Sequence, residues 1–352
     1  MTQPIRVIEM VGTATRRGQA HGRYAAEEIK EYTADRLARS GDGTDLGPED
    51  LLALAEAMLD DHESYDADLY EEMCAMAASA GISPAEAVVV GGYTDFIDTV
   101  RAHARRGPVE DNCTAVIVPD SRAAGAGFLA QTWDMHASAT QHIVMLAVRP
   151  DTGPNSLVFT TVGAIGQIGM NEAGIAVGIN NLTADDGQIG VTWPFVVRKA
   201  LAQSTFDAAV KCVTEAKLAG GHNFLIFDRE GNGVSIEAMP TVAHAVAARS
   251  DVVTHTNHCT VATTQAVEGR RPGPLQNSSL ARLTQAGDLL ASGDIDVDAL
   301  MALTRDERSI CRHPEPPFDY ESCGAAIMRP ATGDFWACWG VPSENDYEHF
   351  RI

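Results

Sequence analysis

The sequence predicts an α+β protein in which antiparallel sheets pack together with helices on their outer faces. Three observations carry that expectation. Residues 1 to about 107 read as mainly helical after one short strand. At Cys113 the texture changes to short apolar runs split by glycine, proline and aspartate turns. Helical stretches recur between and after those runs, which in a layered domain places them outside the sheets.

The elements follow in order. "QAHGRYAAEEIKEYTADRLARS" is rich in the good helix formers Ala, Glu, Lys and Arg. "DGTDLGPED" interrupts it. From 47 to 81 a proline near the start and a glycine past the end frame a second helical stretch. "SPAE" at 83–86 has the form of a capping box and opens a third. "CTAVIV", "GFLAQTW", "HIVMLAV", "SLVFTT" and "GIAVGI" are strands. "WPFVVRKALAQ" and "STFDAAVKCVTEA" are helices. "HNFLIFDREGNGVSIEAMP" is a hairpin with an Asn-Gly tip. "DVVTHT" is a strand, "NSSLARLTQAGDLLASG" and "DVDALMALTRD" are helices, and "AAIMRPATGDFWACWG" is a closing hairpin.

Bulk properties narrow the function. The 352 residues are 45% hydrophobic and carry a formal net charge of −22. A polyanion such as DNA, or an anionic membrane surface, would be repelled. The N-terminus lacks the basic start and apolar core of a secretory signal, and no apolar run has the length of a transmembrane helix. Seven scattered cysteines fit reduced thiols in a cytoplasm better than a disulfide framework. Neither G-x-G-x-x-G nor a P-loop motif is present, so no nucleotide cofactor is expected.

Cys113 draws attention because a polar loop, "VEDN", leads straight into it. A cysteine heading a strand is commonly a small buried hydrophobe. The alternative is chemical. If the Asn112–Cys113 bond is cut, the cysteine gains an α-amino group whose reference pKa is about 7.7–8.0, able to act as base for its own thiol. Asp134, on the returning strand, would then lie beside Cys113 and orient the amine, although a hairpin-end aspartate facing water is the bland reading. Trp133 suits packing rather than catalysis. Asn257 in "THTNHC" could donate its amide to a developing oxyanion. A rival reading collects His255, His258, Cys259 and His313, with Cys311, as zinc ligands, but their spacing matches no standard zinc signature. Arg312 is a surface cation or a partner for Asp134.

Together "DNCT", "QTWD", "GMNEAGIAVGINNL", "THTNHC" and "SICR" resemble, in order and approximate spacing, the acyl-coenzyme A:6-aminopenicillanic acid acyltransferase family. This is the isopenicillin N acyltransferase-like group of N-terminal nucleophile hydrolases. The resemblance runs from Cys113 to the C-terminus. It implies a four-layer αββα sandwich made as a precursor that cuts itself. Residues 1–112 would be the helical α fragment and 113–352 the catalytic β fragment, together one globular unit. It implies Cys113 as nucleophile, Asp134 as the aspartate of the Trp-Asp pair, Asn257 as oxyanion donor and Arg312 as the active-site arginine. Thr114, Trp133 and His255 are expected to contact substrate. No metal or cofactor is implied. Asn112 stands where the fungal members have glycine, and Thr132 where related cysteine members often have asparagine. The expected substrate is a small N-acyl compound. A cationic one would suit the acidity of the chain, which also favours hydrolysis over transfer from polyanionic coenzyme A. A non-catalytic binding protein on the same fold, or a zinc hydrolase, are the alternatives.

Overall fold

A computed structural model describes residues 3–104, 112–315 and 319–352. Strand β1 (Arg6–Gly12) is followed by seven helices: α1 (Ala14–Tyr24), α2 (Ala26–Ser40), α3 (Pro48–Glu56), α4 (Leu59–Tyr65), α5 (Ala67–Ala80), α6 (Pro84–Gly91) and α7 (Tyr93–Ala104). The stretch 47–81 is three helices, not one. The break before α5 comes at Asp66, which is extended (φ −159°, ψ 100°) and caps α5 by accepting from the Leu69 N–H. The stretch 19–40 breaks at Ala25. The capping box at Ser83 and Glu86 forms as the sequence predicts. Gly92, between α6 and α7, has no room for a side chain: a Cβ there would lie 2.5 Å from Thr192.

Strands β2 (Asn112–Val118), β3 (Phe128–His136), β4 (Ile143–Pro150), β5 (Ser156–Thr161), β6 (Ile168–Asn171) and β7 (Ile175–Leu182) come next. Helices α8 (Trp193–Leu201) and α9 (Phe206–Thr214) separate them from β8 (Gly221–Asp228), β9 (Gly233–Ala238), β10 (Ala243–Ala248) and β11 (Val253–His255). The chain then forms α10 (Ala262–Gln265), α11 (Gly273–Leu289), α12 (Val297–Thr304), β12 (Tyr320–Arg329), β13 (Asp334–Trp339) and β14 (Tyr347–Arg351). The β8–β9 turn differs from the expected Asn-Gly tip. Its left-handed residue is Gly231 (φ 81°), and the Asp228 carboxylate accepts from the Glu230 and Asn232 N–H groups.

The strands build two sheets. One has the order β1-β4-β5-β6-β7-β8-β9-β10, the other β11-β2-β3-β12-β13-β14. Pairing is antiparallel except between β1 and β4. Three apolar layers show how they stack. Helices α2 to α9 cover one face of the first sheet through residues such as Met76, Phe96 and Val197 against Leu146, Val177 and Ile226. Ile117, Leu129, Met145, Phe159 and Phe227 fill the space between the sheets. Val116, Phe128 and Ile327 meet Ala286 of α11, Leu290 just past its end and Leu303 of α12 on the far side. The architecture is therefore a four-layer αββα sandwich. Strands β2 and β3 are buried on both faces, which is why they read as apolar runs without alternation.

A polar side chain of β3 crosses the inter-sheet layer. Gln131 of β3 accepts from the Ile179 N–H (2.7 Å) and donates to the Ile179 carbonyl (3.1 Å) in β7. Its neighbour on β7 is Gly178, where a Cβ would lie 2.6 Å from Gln131 Oε1.

Candidate active site

The site forms where β2 begins. Successive side chains along a strand point to opposite faces. Cys113, Ala115 and Ile117 join the inter-sheet layer, while Val116 and Val118 face α11 and α12. Register sets the partners: Cys113 opposes Trp133, Asn112 opposes Asp134 and Thr114 opposes Thr132. The expectation that Asp134 lies directly beside Cys113 is corrected here. It pairs with the residue before the cysteine, because the hairpin register is offset by one and a one-residue offset changes the face.

Asp134 is fully buried. Its Oδ1 accepts from Ser322 Oγ at 2.7 Å, and Oδ2 has no hydrogen-bond partner. Opposite it, Asn112 Nδ2 is also without a partner. Burial pushes the Asp134 carboxyl up to about 6, against the pull of Arg282, Ser322 and Arg312.

Arg282 of α11 is the group that the sequence analysis does not single out. It is fully buried and holds the start of β2 together. Nη1 donates to the Cys113 carbonyl (2.5 Å) and Thr114 Oγ1 (3.1 Å), and Nη2 to Asn112 Oδ1 (3.0 Å) and Asn257 Oδ1 (2.8 Å). Burial lowers its pKa to about 10, so it stays charged near neutrality. A sequence signal exists. Leu275, Ser279, Arg282 and Ala286 form the buried stripe of α11, and an arginine on such a stripe is rare unless it is paired.

Asn257 follows β11. Its Oδ1 accepts from the Cys113 N–H at 2.7 Å as well as from Arg282, and its Nδ2 donates to the Asn181 carbonyl at 3.0 Å. Two obligate donors on one side and a carbonyl on the other fix which way the amide points. In the uncut chain the amide nitrogen is therefore committed to Asn181. Arg312 stands one contact further out than expected. Its main-chain N–H donates to Ser322 Oγ (2.9 Å), which serves Asp134, and its guanidinium reaches Ser278 (3.2 Å) over the Tyr320 ring.

The expected substrate contacts separate. Trp133 lies beside Cys113 and lines a small cavity. The Thr114 hydroxyl is turned towards Arg282, away from the thiol face. His255 is buried with both ring nitrogens engaged, by Glu237 (3.0 Å) and the Thr256 carbonyl (2.8 Å). Burial opposes ionisation of Glu237, but hydrogen bonds from His255, Thr260 and Thr264 prevail and bring it to about 2.

The zinc alternative does not assemble. His258 Nδ1 is bound to Ser279 Oγ (2.7 Å), the Cys259 thiol points at Met239, the Cys311 thiol at Ser343, and His313 meets Glu307 and Glu344 at the surface. Among the described residues no three His, Cys, Asp or Glu side chains converge on one point. Among them, too, no single helix is long and apolar enough to cross a membrane.

Residues 121–344 match the family model for acyl-coenzyme A:6-aminopenicillanic acid acyl-transferase. The match takes in Asp134, Asn257, Arg282 and Arg312 and begins after Cys113. Over 250 residues the chain is 28% identical to the acyl-coenzyme A:6-aminopenicillanic-acid-acyltransferase 40 kDa form of Emericella nidulans, which covers 69% of this chain and 66% of that relative. Among solved structures, a mutant conjugated bile acid hydrolase from Clostridium perfringens aligns with a TM-score of 0.47 at 10% identity, over 68% of this chain and 97% of that one. Penicillin V acylase from Agrobacterium tumefaciens aligns at 0.39 and 10% identity, over 68% and 86%.

Proposed function

The chain belongs to the acyl-coenzyme A:6-aminopenicillanic acid acyltransferase family, and from that premise we propose that it is a self-cleaving N-terminal cysteine enzyme that hydrolyses or transfers the acyl group of a small N-acyl compound. The observation that carries the reading is the buried Arg282, whose two terminal nitrogens donate to residues 112–114 and Asn257 while Nε is held by Ser278 of its own helix. A charged group sunk this deep is destabilising unless its partners are well placed. Here it fixes the Asn112–Cys113 peptide in one pose.

In the proposed maturation the Cys113 thiol adds to the Asn112 carbonyl carbon, and the C–N bond breaks. The thiol proton passes to the departing nitrogen, leaving a thioester and a free amine. Water then opens the thioester to the Asn112 carboxylate and the Cys113 thiol. Departure of Asn112 empties the strand position facing Asp134. The new ammonium is the natural partner for the Asp134 Oδ2 that lacks one in the uncut chain. Asn257 Oδ1, already on the Cys113 nitrogen, keeps that amine oriented. In turnover the deprotonated amine takes the thiol proton, sulfur attacks the substrate carbonyl, and an acyl thioester forms before water or an amine accepts the acyl group. Asn257 Nδ2 serves the oxyanion once it exchanges its bond to the Asn181 carbonyl. Arg312 supports Asp134 through Ser322.

Intact-mass analysis and N-terminal sequencing test this. By residue share of 37.5 kDa, the products are fragments of about 12 and about 26 kDa, the larger beginning Cys-Thr-Ala-Val. Cys113→Ala leaves one chain and no turnover of N-acyl amides. A fully active uncut chain would falsify the proposal.

A further inference from the structure

A second arginine is buried on the other side of Trp133. Arg36 of α2 is 1% exposed. Its guanidinium carbon lies 4.5 Å from the Tyr32 ring centroid and 4.7 Å from that of Tyr93. Nη1 meets His136 Nδ1 at 3.2 Å and Met135 Sδ at 3.6 Å. Nε and Nη2 have no acceptor in hydrogen-bonding geometry among the described residues. Asp35, the nearest carboxylate, stands 3.8 Å from Nε and is itself taken by Arg39 at 2.9 Å. Burial opposes the charge, but Tyr32, Tyr93 and Asp35 outweigh it and hold Arg36 above its ordinary pKa.

Arg17, Arg198 and Arg282 leave no buried N–H without an acceptor, and Nε of Arg6, Arg312 and Arg329 is left without one. Among the described residues Arg36 alone leaves two guanidinium nitrogens in that state. Leaving such donors unmet is destabilising. Arg36 also lines a cavity of about 30 Å³, together with Tyr32, Tyr93, Trp133, Gln167 and Trp193. Gln167 is 2% exposed and its Nε2 likewise lacks an acceptor. The lining thus includes two side chains with unmet donors and, in a chain with 48 acidic residues, no carboxylate. A volume of about two water molecules suits a group of two or three heavy atoms, not a whole substrate.

We propose that this cavity is an anion subsite that receives a carboxylate carried by the substrate, with Arg36 and Gln167 as its donors. A carboxylate supplies two acceptor oxygens to a planar fork and cancels a buried charge, and a neutral amide or an ammonium does neither. The subsite sits behind Trp133, the cross-strand neighbour of Cys113, so it would set which N-acyl compounds place their carbonyl at the thiol. It rests on the proposed role of Cys113 only for that last step. It also replaces the cationic substrate that the net charge of the chain suggests: the local charge opposes the global one.

Calorimetric titration of the wild-type protein with butyrate and with butyramide tests the subsite, because neither probe needs turnover. Butyrate should bind about 10- to 100-fold more tightly than butyramide, as expected for hydrogen bonds to a charged group. Arg36→Met should abolish that preference, Arg36→Lys should keep part of it, and Gln167→Met should cut it about threefold or more. Gln167 lies on a different segment, so it decides the question if Arg36→Met does not fold. Butyrate binding no tighter than butyramide, including no measurable binding of either, overturns the proposal. So does a preference that survives both Arg36→Met and Gln167→Met. If the chain proves uncut and inactive while butyrate still binds through Arg36, the subsite stands and the enzymatic reading falls.

Discussion

Replacing Asp134 with asparagine should make the uncut protein more stable near neutral pH, and the effect should vanish in acid. The perturbation is nearly isosteric and keeps an oxygen for the Ser322 hydroxyl. In the uncut chain the Asp134 carboxyl titrates at about 6, raised from 3.8 mainly by burial. A carboxyl with a raised folded pKa binds more protons folded than unfolded between those values. Stability therefore falls as pH rises through that window, and the loss is complete above about 6. A rise of about two pH units corresponds to about 3 kcal/mol at full ionisation, of which about 2 kcal/mol develops between pH 4.5 and 7.5. Asp98, buried and raised to about 7, slopes the same way. The measurement must then be a difference: urea unfolding of Cys113→Ala with and without Asp134→Asn, at both pH values. The asparagine variant should gain about 2 kcal/mol relative to its parent on going from pH 4.5 to 7.5. No gain, or a gain in acid, would show that Asp134 is already paired in the uncut chain. In the self-cleaved wild-type protein the sign should reverse, because the Cys113 ammonium then holds the carboxylate charged.

Two further substitutions separate the roles at the junction. Arg282→Met should stop or slow cleavage more than a hundredfold while Arg282→Lys restores part of it, followed by intact mass over time; equal cleavage in all three would remove Arg282 from maturation. Asn257→Ala in cleaved protein should lower kcat by about 10²–10³ with little change in KM, and Asn257→Asp should be at least as damaging beside the oxyanion. A normal kcat per titrated thiol with a lowered melting point would leave Asn257 a purely structural tie.

The layered class, the helical first third and the change of texture at Cys113 were legible because they rest on local pattern. So was the capping box at Ser83, which needs only four residues. Strand β10 was not. Its "AHAVAA" is exposed along most of its length and dominated by alanine, a weak strand former, and it exists because β9 offers it an edge. The break at Asp66 was hidden inside a helix-friendly stretch, since a side-chain cap outweighed propensity there. In the site, Cys113, Asp134 and Asn257 could be picked out by type and place, but how they face one another depends on register and on amide orientation. Arg282 comes from a helix 169 residues along the chain from Cys113. Only its position on a buried stripe marks it.

The Gln131 amide that reaches from β3 to the main chain of β7 has a mechanical consequence. Apolar attraction between two sheets has no preferred direction along the interface, so packing alone resists separation far better than it resists sliding. A side-chain amide that mimics a peptide partner has only one seat. It acts as a dowel between the layers, and Gly178 is the socket cut for it. The strand that carries Trp133 is thereby indexed to the opposite sheet at one point two residues away. A methyl group at position 178 would press on the Gln131 amide and the Leu129 side chain and drive the dowel from its seat, so that β3 would lose its index against β7.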